Sequence, residues 1–437
     1  MQRREPQSRL IQAMRDMFLL PDLRRRLLFT LGILVVFRFI AHVPLPGIDF
    51  AALRQLFEQN QLFGMLDLFS GGAMRRFSVA AMGVYPYITS SIIMQLLVPV
   101  IPNLQALSRQ GEIGQRKINR ITHLLTIPLA ALQGYGMLVI LKGQNVVVAF
   151  EPLTIVTVVV SMTAGTMFLV WLGELITERG IGNGISLIIF AGIIAGLPTM
   201  MGQSILAASD NPMGLAVLII LVLATLVFVV AFIEAHRRIP VQYARTTFRS
   251  GRMYRQSGAT YIPLRVNTAG MIPLIFAIAV VTLPATIASY FANPSSPNFA
   301  DTIMHAFNPG ATFPLGLVYW GAYFLLVIGF TFFYTMIIFE QLGLAKRLQE
   351  QGGFIPGIRP GKATAGYLDR IIRLITFGGA LSLGLVAIMP FIAQEVTNVA
   401  TITVSSMALL IVVGVALDTM KQVEAQLTMR RYEGFLR

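Results

Sequence analysis

The sequence predicts an all-α polytopic membrane protein, with ten transmembrane helices in two inverted five-helix halves. Three observations carry that prediction: the composition, ten long apolar runs, and the sorting of basic residues between the loops. The chain has 437 residues, 55% hydrophobic and only 12% charged, and its mean hydropathy is +0.70. Soluble domains carry about 25% charged residues, so a water-soluble globule is excluded. Cysteine is absent, which removes disulfides, thiolate metal sites and cysteine nucleophiles from consideration.

Taken in order, the chain opens with a basic cytoplasmic segment, 1–26. The apolar runs then lie at roughly 27–43, 77–101, 121–141, 153–173, 185–203, 213–233, 268–291, 314–338, 374–393 and 400–417. A membrane helix needs about 20 apolar residues, and each run reaches that length with its flanks. The ten-residue alternation of a membrane β-barrel is missing. The first run is followed by His42, Pro44 and Pro46 rather than a small-residue cleavage site, so it reads as a retained span and not a removed signal peptide. The first half covers 27–206, the second 207–420, and 421–437 forms a cytoplasmic tail. Two halves of five spans each must have opposite orientation, which suits an inverted repeat.

The charges orient this layout. Of the 34 Lys and Arg, 29 fall on the side of the termini, Arg54, Arg75, Arg76 and Lys142 fall on the other, and Arg38 sits inside the first span. Basic residues accumulate on the cytoplasmic side, so both termini are cytoplasmic. Two cytoplasmic loops are long, 234–267 and 339–372. The first carries seven arginines interleaved with Tyr243, Phe248, Tyr254 and Tyr261. Such a loop either touches lipid headgroups or docks a phosphate-rich or acidic partner. Its length favours docking, because long structured loops tend to be functional.

The stretch from Gln61 to Pro102 is unlike the rest. A short apolar piece, Gln61 to Phe69, ends at Ser70-Gly71-Gly72 before the second span begins. It is too short to cross. It is either an interfacial helix or a re-entrant segment, and re-entrant backbone is tolerated at membrane depth only where protein buries it or water surrounds it.

Sites of bond chemistry are not evident. The spans hold mainly Ser, Thr, Gln and Asn as polar residues, whose ordinary role is helix–helix packing. Ion-coupled transport would call for buried carboxylates or histidines near the midplane, and these are missing. The four histidines are scattered, with no metal-binding spacing. Gly357-Ile358-Arg359-Pro360-Gly361-Lys362-Ala363 has one residue too few between its glycines for a phosphate loop, and Ala363 where the magnesium ligand should be. Arg179-Gly180-Ile181-Gly182-Asn183-Gly184 follows no strand and reads as a tight turn with close helix approach. No cofactor is implied, and any energy source must come from a partner.

Motifs throughout the chain resemble the SecY family of protein-conducting channels, the family that includes Sec61 alpha. They are Pro44-Leu45-Pro46-Gly47-Ile48-Asp49, Leu68-Phe69-Ser70-Gly71-Gly72, Pro86-Tyr87-Ile88 with Ile92-Ile93-Met94-Gln95-Leu96-Leu97, the run Glu178 to Ser186, Arg237 to Ala244, Phe354 to Gly361, and Arg431-Tyr432-Glu433-Gly434. The resemblance implies pseudo-symmetric halves around an hourglass pore that passes unfolded secretory chains and releases apolar segments sideways into the lipid bilayer. It implies a plug over about 61–73, with Leu62, Phe63, Leu66, Leu68, Phe69, Ser70, Gly71 and Gly72. It implies a pore ring of Val84, Ile88, Ile189, Ile275 and Ile411, with Val84 where isoleucine is common. The lateral gate would lie between spans 2 and 7, the gate helix being 77–101, with Thr89, Gln95 and Asn267 as its polar positions. Arg238, Arg252 and Arg359 would dock the SecA motor ATPase or the ribosome. Met253 departs from an arginine usual there, with Arg249 and Arg255 nearby. The small subunits SecE and SecG, and polypeptides bearing signal sequences, are the other implied partners. An apolar collar resists wetting and opposes ion leak, and it offers a passing chain no hydrogen bonds to stick to.

Overall fold

The computed structural model describes residues 20–59, 64, 67, 70–144, 146–147, 150–208, 212–249, 252–270, 272–289, 291, 298–311, 314–397 and 402–433. All ten apolar runs contain a helix. They are α1 (Pro21–Ile40), α3 (Tyr85–Leu97), α5 (Glu112–Gly143), α6 (Pro152–Arg179), α7 (Gly184–Ala208), α8 (Pro212–Glu234), α9 (Ile272–Ser289), α11 (Gly316–Leu342), α13 (Lys362–Thr397) and α14 (Ile402–Glu433). Four shorter or surface helices are also found among the described residues: α2 (Phe50–Gln59), α4 (Pro102–Ser108), α10 (Phe299–Ala306) and α12 (Leu344–Glu350). By length and composition, five described helices can cross a membrane: α5, α6, α9, α11 running on through α12, and α13. Proline at the first helical positions starts α1, α3 and α6, where its missing N–H costs nothing and its fixed φ suits the helix.

The second span corrects an expectation. The run 77–101 is apolar throughout, yet it is helical only from Tyr85 to Leu97, and α4 then leaves at 102° to it. The reason is backbone pairing. Leu45 N–H donates to the Phe77 carbonyl at 2.9 Å, and Val79 N–H donates to the Val43 carbonyl at 3.0 Å. Groups engaged with residues 43–45 are lost to a helical ladder. Phe77, fully buried, accordingly takes a left-handed φ of 42°.

The core is one large apolar cluster drawn from α1, α3, α6, α7, α8, α9, α11, α13 and α14. A second cluster lies under α2, between residues 45–82 and the facing parts of α5 and α6. The turn between α6 and α7 is as tight as the glycine run suggests, since a Cβ on Gly184 would fall on the Gly173 carbonyl.

The two long loops hold structure that hydropathy does not announce. β1 (His236–Arg249) and β2 (Arg252–Arg265) form an antiparallel hairpin, with Arg249 opposite Arg252. Along β1, Arg238 and Pro240 are exposed while Ile239 and Val241 are buried, the alternation of a half-buried strand. β3 (Gly353–Phe354), from the second loop, pairs antiparallel with Gln242 and Tyr243 of β1. Ile239, Val241 and Leu264 of the hairpin pack with Leu348, Ile355, Leu368, Ile371 and Ile372. The two loops are therefore one folded body.

Candidate functional site

The residues singled out for the pore all fall within the same apolar core. Val84 immediately precedes α3, and Ile88 lies in its first turn. Ile189 comes from α7, Ile275 from α9 and Ile411 from α14. All five are buried, none more than 6% exposed, and all belong to the same apolar cluster.

The polar gate residues behave differently. Thr89 Oγ1 donates to the Tyr85 carbonyl at 3.1 Å, and Gln95 Nε2 donates to Ser91 Oγ at 3.2 Å, both within α3. Asn267 Nδ2 donates to the Gly270 carbonyl at 2.9 Å, ahead of α9. The buried amide oxygens of Gln95 and Asn267 have no hydrogen-bond partner. Among these contacts, none joins one of the three residues to another.

Tyr85, which sequence reasoning passed over, does cross. Its side chain is 7% exposed, and its hydroxyl donates to the Ala279 carbonyl of α9 at 3.2 Å. On its other side α3 is tied to α5. Ser90 Oγ donates to the Thr122 carbonyl at 2.7 Å. Thr126 Oγ1 lies 3.0 Å from Ser90 Oγ and 2.8 Å from the same carbonyl, and it donates to one or the other. Ser90, Thr122 and Thr126 are all buried.

Of the plug positions, Leu62, Phe63, Leu66, Leu68 and Phe69 lie outside the described residues. Ser70, Gly71 and Gly72 are described, and Asp67, unremarked in the sequence, organises them. Its carboxylate accepts from Ser70 Oγ at 3.0 Å and from the backbone N–H groups of Met74 and Arg75 at 3.1 and 3.2 Å. Arg75 Nε pairs with it at 3.0 Å. Burial pushes the Asp67 carboxyl up from its ordinary range, opposed by Arg75 and by these hydrogen bonds. Gly71 is held from two sides. Arg38, near the end of α1, donates to its carbonyl at 2.8 Å. A Cβ there would sit 2.7 Å from Gly192 Cα of α7 and 2.9 Å from the Phe37 ring. With a φ of 68° as well, the position takes only glycine without strain.

On the body formed by the two long loops Arg238 and Arg359 are exposed, and Arg252 opens β2. Arg359 follows β3, so β-pairing brings its loop against the hairpin that carries Arg238. The alternation of HRRIPVQY was the sequence signal for that hairpin. Among the described residues, no group of His, Asp and Glu is placed to hold a metal ion.

Comparison with known proteins places this geometry. A family model described as SecY matches residues 78–420. The protein translocase subunit SecY of Streptomyces scabiei is 41% identical over 445 residues, covering 96% of this chain and 98% of that one. The same subunit of Thermus thermophilus is 44% identical over 429 residues, covering 95% of each. Among solved structures, one described as a protein conducting channel aligns with a TM-score of 0.62 at 19% identity, over 92% of this chain and 91% of that one. Sec61 in the canine ribosome-channel complex aligns with a TM-score of 0.60 at 18% identity, with the same coverage. The shared fold is all-α and polytopic, ten helices in two halves.

Proposed function

Because the chain belongs to the SecY family, we propose that it is the central protein-conducting subunit of a Sec translocon. It passes unfolded secretory polypeptides across the bacterial cytoplasmic membrane and releases transmembrane segments laterally into lipid. The observation that carries the reading is the convergence of Val84, Ile88, Ile189, Ile275 and Ile411 in one buried apolar cluster, from α3, α7, α9 and α14. A ring of aliphatic side chains seals by dewetting and parts without breaking hydrogen bonds. The plug is the 61–73 segment, seated by Asp67, Arg38 and the contact of Gly71 with Gly192. The lateral gate is the seam between α3 and α9, with Thr89, Gln95 and Asn267 along it.

The chain is the conduit, and the driving force comes from SecA or a translating ribosome, docked on the cytoplasmic body through Arg238, Arg252 and Arg359. Arg238 and Arg359 are exposed, and arginines suit acidic and phosphate-rich surfaces. SecE and SecG complete the membrane complex, and both termini lie in the cytoplasm. Single substitutions Ile275→Cys and Ile411→Cys, made in this cysteine-free chain, test the central claim. A secretory precursor stalled in transit crosslinks to both positions. Uptake of a small solute, with neither position crosslinking to the precursor, overturns it.

A further inference from the structure

We propose that Tyr85 is a latch across the lateral gate, one that sets how hydrophobic a signal segment must be to open it. The inference rests on the channel reading and goes beyond it, by giving the seam between α3 and α9 a residue that selects substrates. Tyr85 is the first residue of α3, and its buried hydroxyl donates to Ala279 of α9. Two ring residues stand one turn away, Ile88 on α3 and Ile275 on α9. The bond thus crosses the seam beside the constriction. An entering signal helix must part these atoms. Its own backbone groups are already paired within the helix, so an apolar segment has nothing to offer the tyrosine hydroxyl in return. Its burial in lipid must outweigh the lost bond, and weakly apolar segments fail that test.

The carbonyl side is suited to release. Thr282 Oγ1, on the next turn of α9, lies 3.2 Å from the Ala279 carbonyl and 2.9 Å from that of Ile278. When Tyr85 withdraws, Ala279 keeps a nearby donor. The tyrosine hydroxyl also meets that of Thr282, so opening breaks both contacts with α9 at once and leaves Thr282 to serve the Ala279 carbonyl.

The test uses inside-out membrane vesicles from cells in which this chain is the sole channel subunit. The substrates are secretory precursors with an all-leucine signal core, or with leucines replaced stepwise by alanine. Tyr85→Phe removes the hydroxyl and keeps the ring. Transport of the weakened precursors rises about threefold, the size expected for one interhelical hydrogen bond in a membrane, while the all-leucine precursor is unaffected. Tyr87→Phe serves as the control, because the Tyr87 ring instead lies against His123 of α5, and its hydrophobicity requirement stays that of the unmodified protein. An unchanged requirement in Tyr85→Phe, or an equal shift in Tyr87→Phe, overturns the latch while leaving the channel reading in place. If the unmodified protein fails to transport even the all-leucine precursor, the channel reading falls and the latch with it.

Discussion

The two sides of α3 are built on opposite principles. Towards α5, Ser90, Thr122 and Thr126 share a buried hydroxyl network whose donors all reach acceptors inside the helix pair. Towards α9, the described cross-seam hydrogen bond belongs to Tyr85, and the amides flanking the seam each leave an oxygen unpaired. Between membrane helices, polar bonds count because apolar contact with a neighbour is scarcely better than contact with lipid. The satisfied side keeps α3 and α5 together as a unit. The under-satisfied side is the seam proposed as the gate, the one a competing apolar helix can part. In that proposal, movement is a choice of which seam is cheaper to open, settled by a few hydroxyl groups.

The strongest way to break this contrast is Ser90→Leu. Ser90 has no exposed surface, so the larger side chain must push α3 from α5, and the bond from Ser90 to the Thr122 carbonyl is lost. A destabilisation on the order of 3 kcal/mol or more follows from overpacking and a lost partner together, read as a fall in the thermal midpoint of the purified complex. A midpoint near that of the unmodified protein would mean the α5 side is no clamp. Thr126→Val is milder, because it keeps the volume and removes one donor, and costs about 1 kcal/mol. It lowers the same midpoint without altering which signal sequences pass. Thr89→Val is the smallest change. Its hydroxyl bonds within its own helix, so transport of weak-signal precursors moves by less than about twofold. A shift as large as that of Tyr85→Phe would show that the Thr89 hydroxyl, which also meets that of Tyr85, is needed to hold the latch.

What the sequence made legible was depth in the membrane. The ten apolar runs mark every long helix, because burial in lipid demands unbroken hydrophobicity. The same signal misplaced the start of α3. Residues 77–84 are as apolar as a helix, yet their backbone is paired with residues 43–45, and hydropathy is blind to which partner a carbonyl takes. The proposed ring positions rest on family resemblance, since aliphatic residues in a span are ordinarily packing. Tyr85 gave no signal at all: a tyrosine at a helix start becomes a gate residue only when Ala279 stands opposite. The pairing of β1 with β3 was hidden for a related reason, because it joins segments separated by four helices in the chain.

That last separation has a consequence for biosynthesis. The β1–β2 hairpin is complete once Arg265 is made, but the side chains that cover its apolar face, Leu348, Ile355, Leu368, Ile371 and Ile372, come later. Between them lie α9, α10 and α11, two of which must be inserted into the membrane first. A ribosome partway through this chain therefore holds a hairpin whose apolar face is still uncovered. Contacts this distant in sequence form late, so the body built from the two loops becomes whole only on a nearly finished protein. The chain thereby carries its own record of completion, on the face proposed to meet its partners.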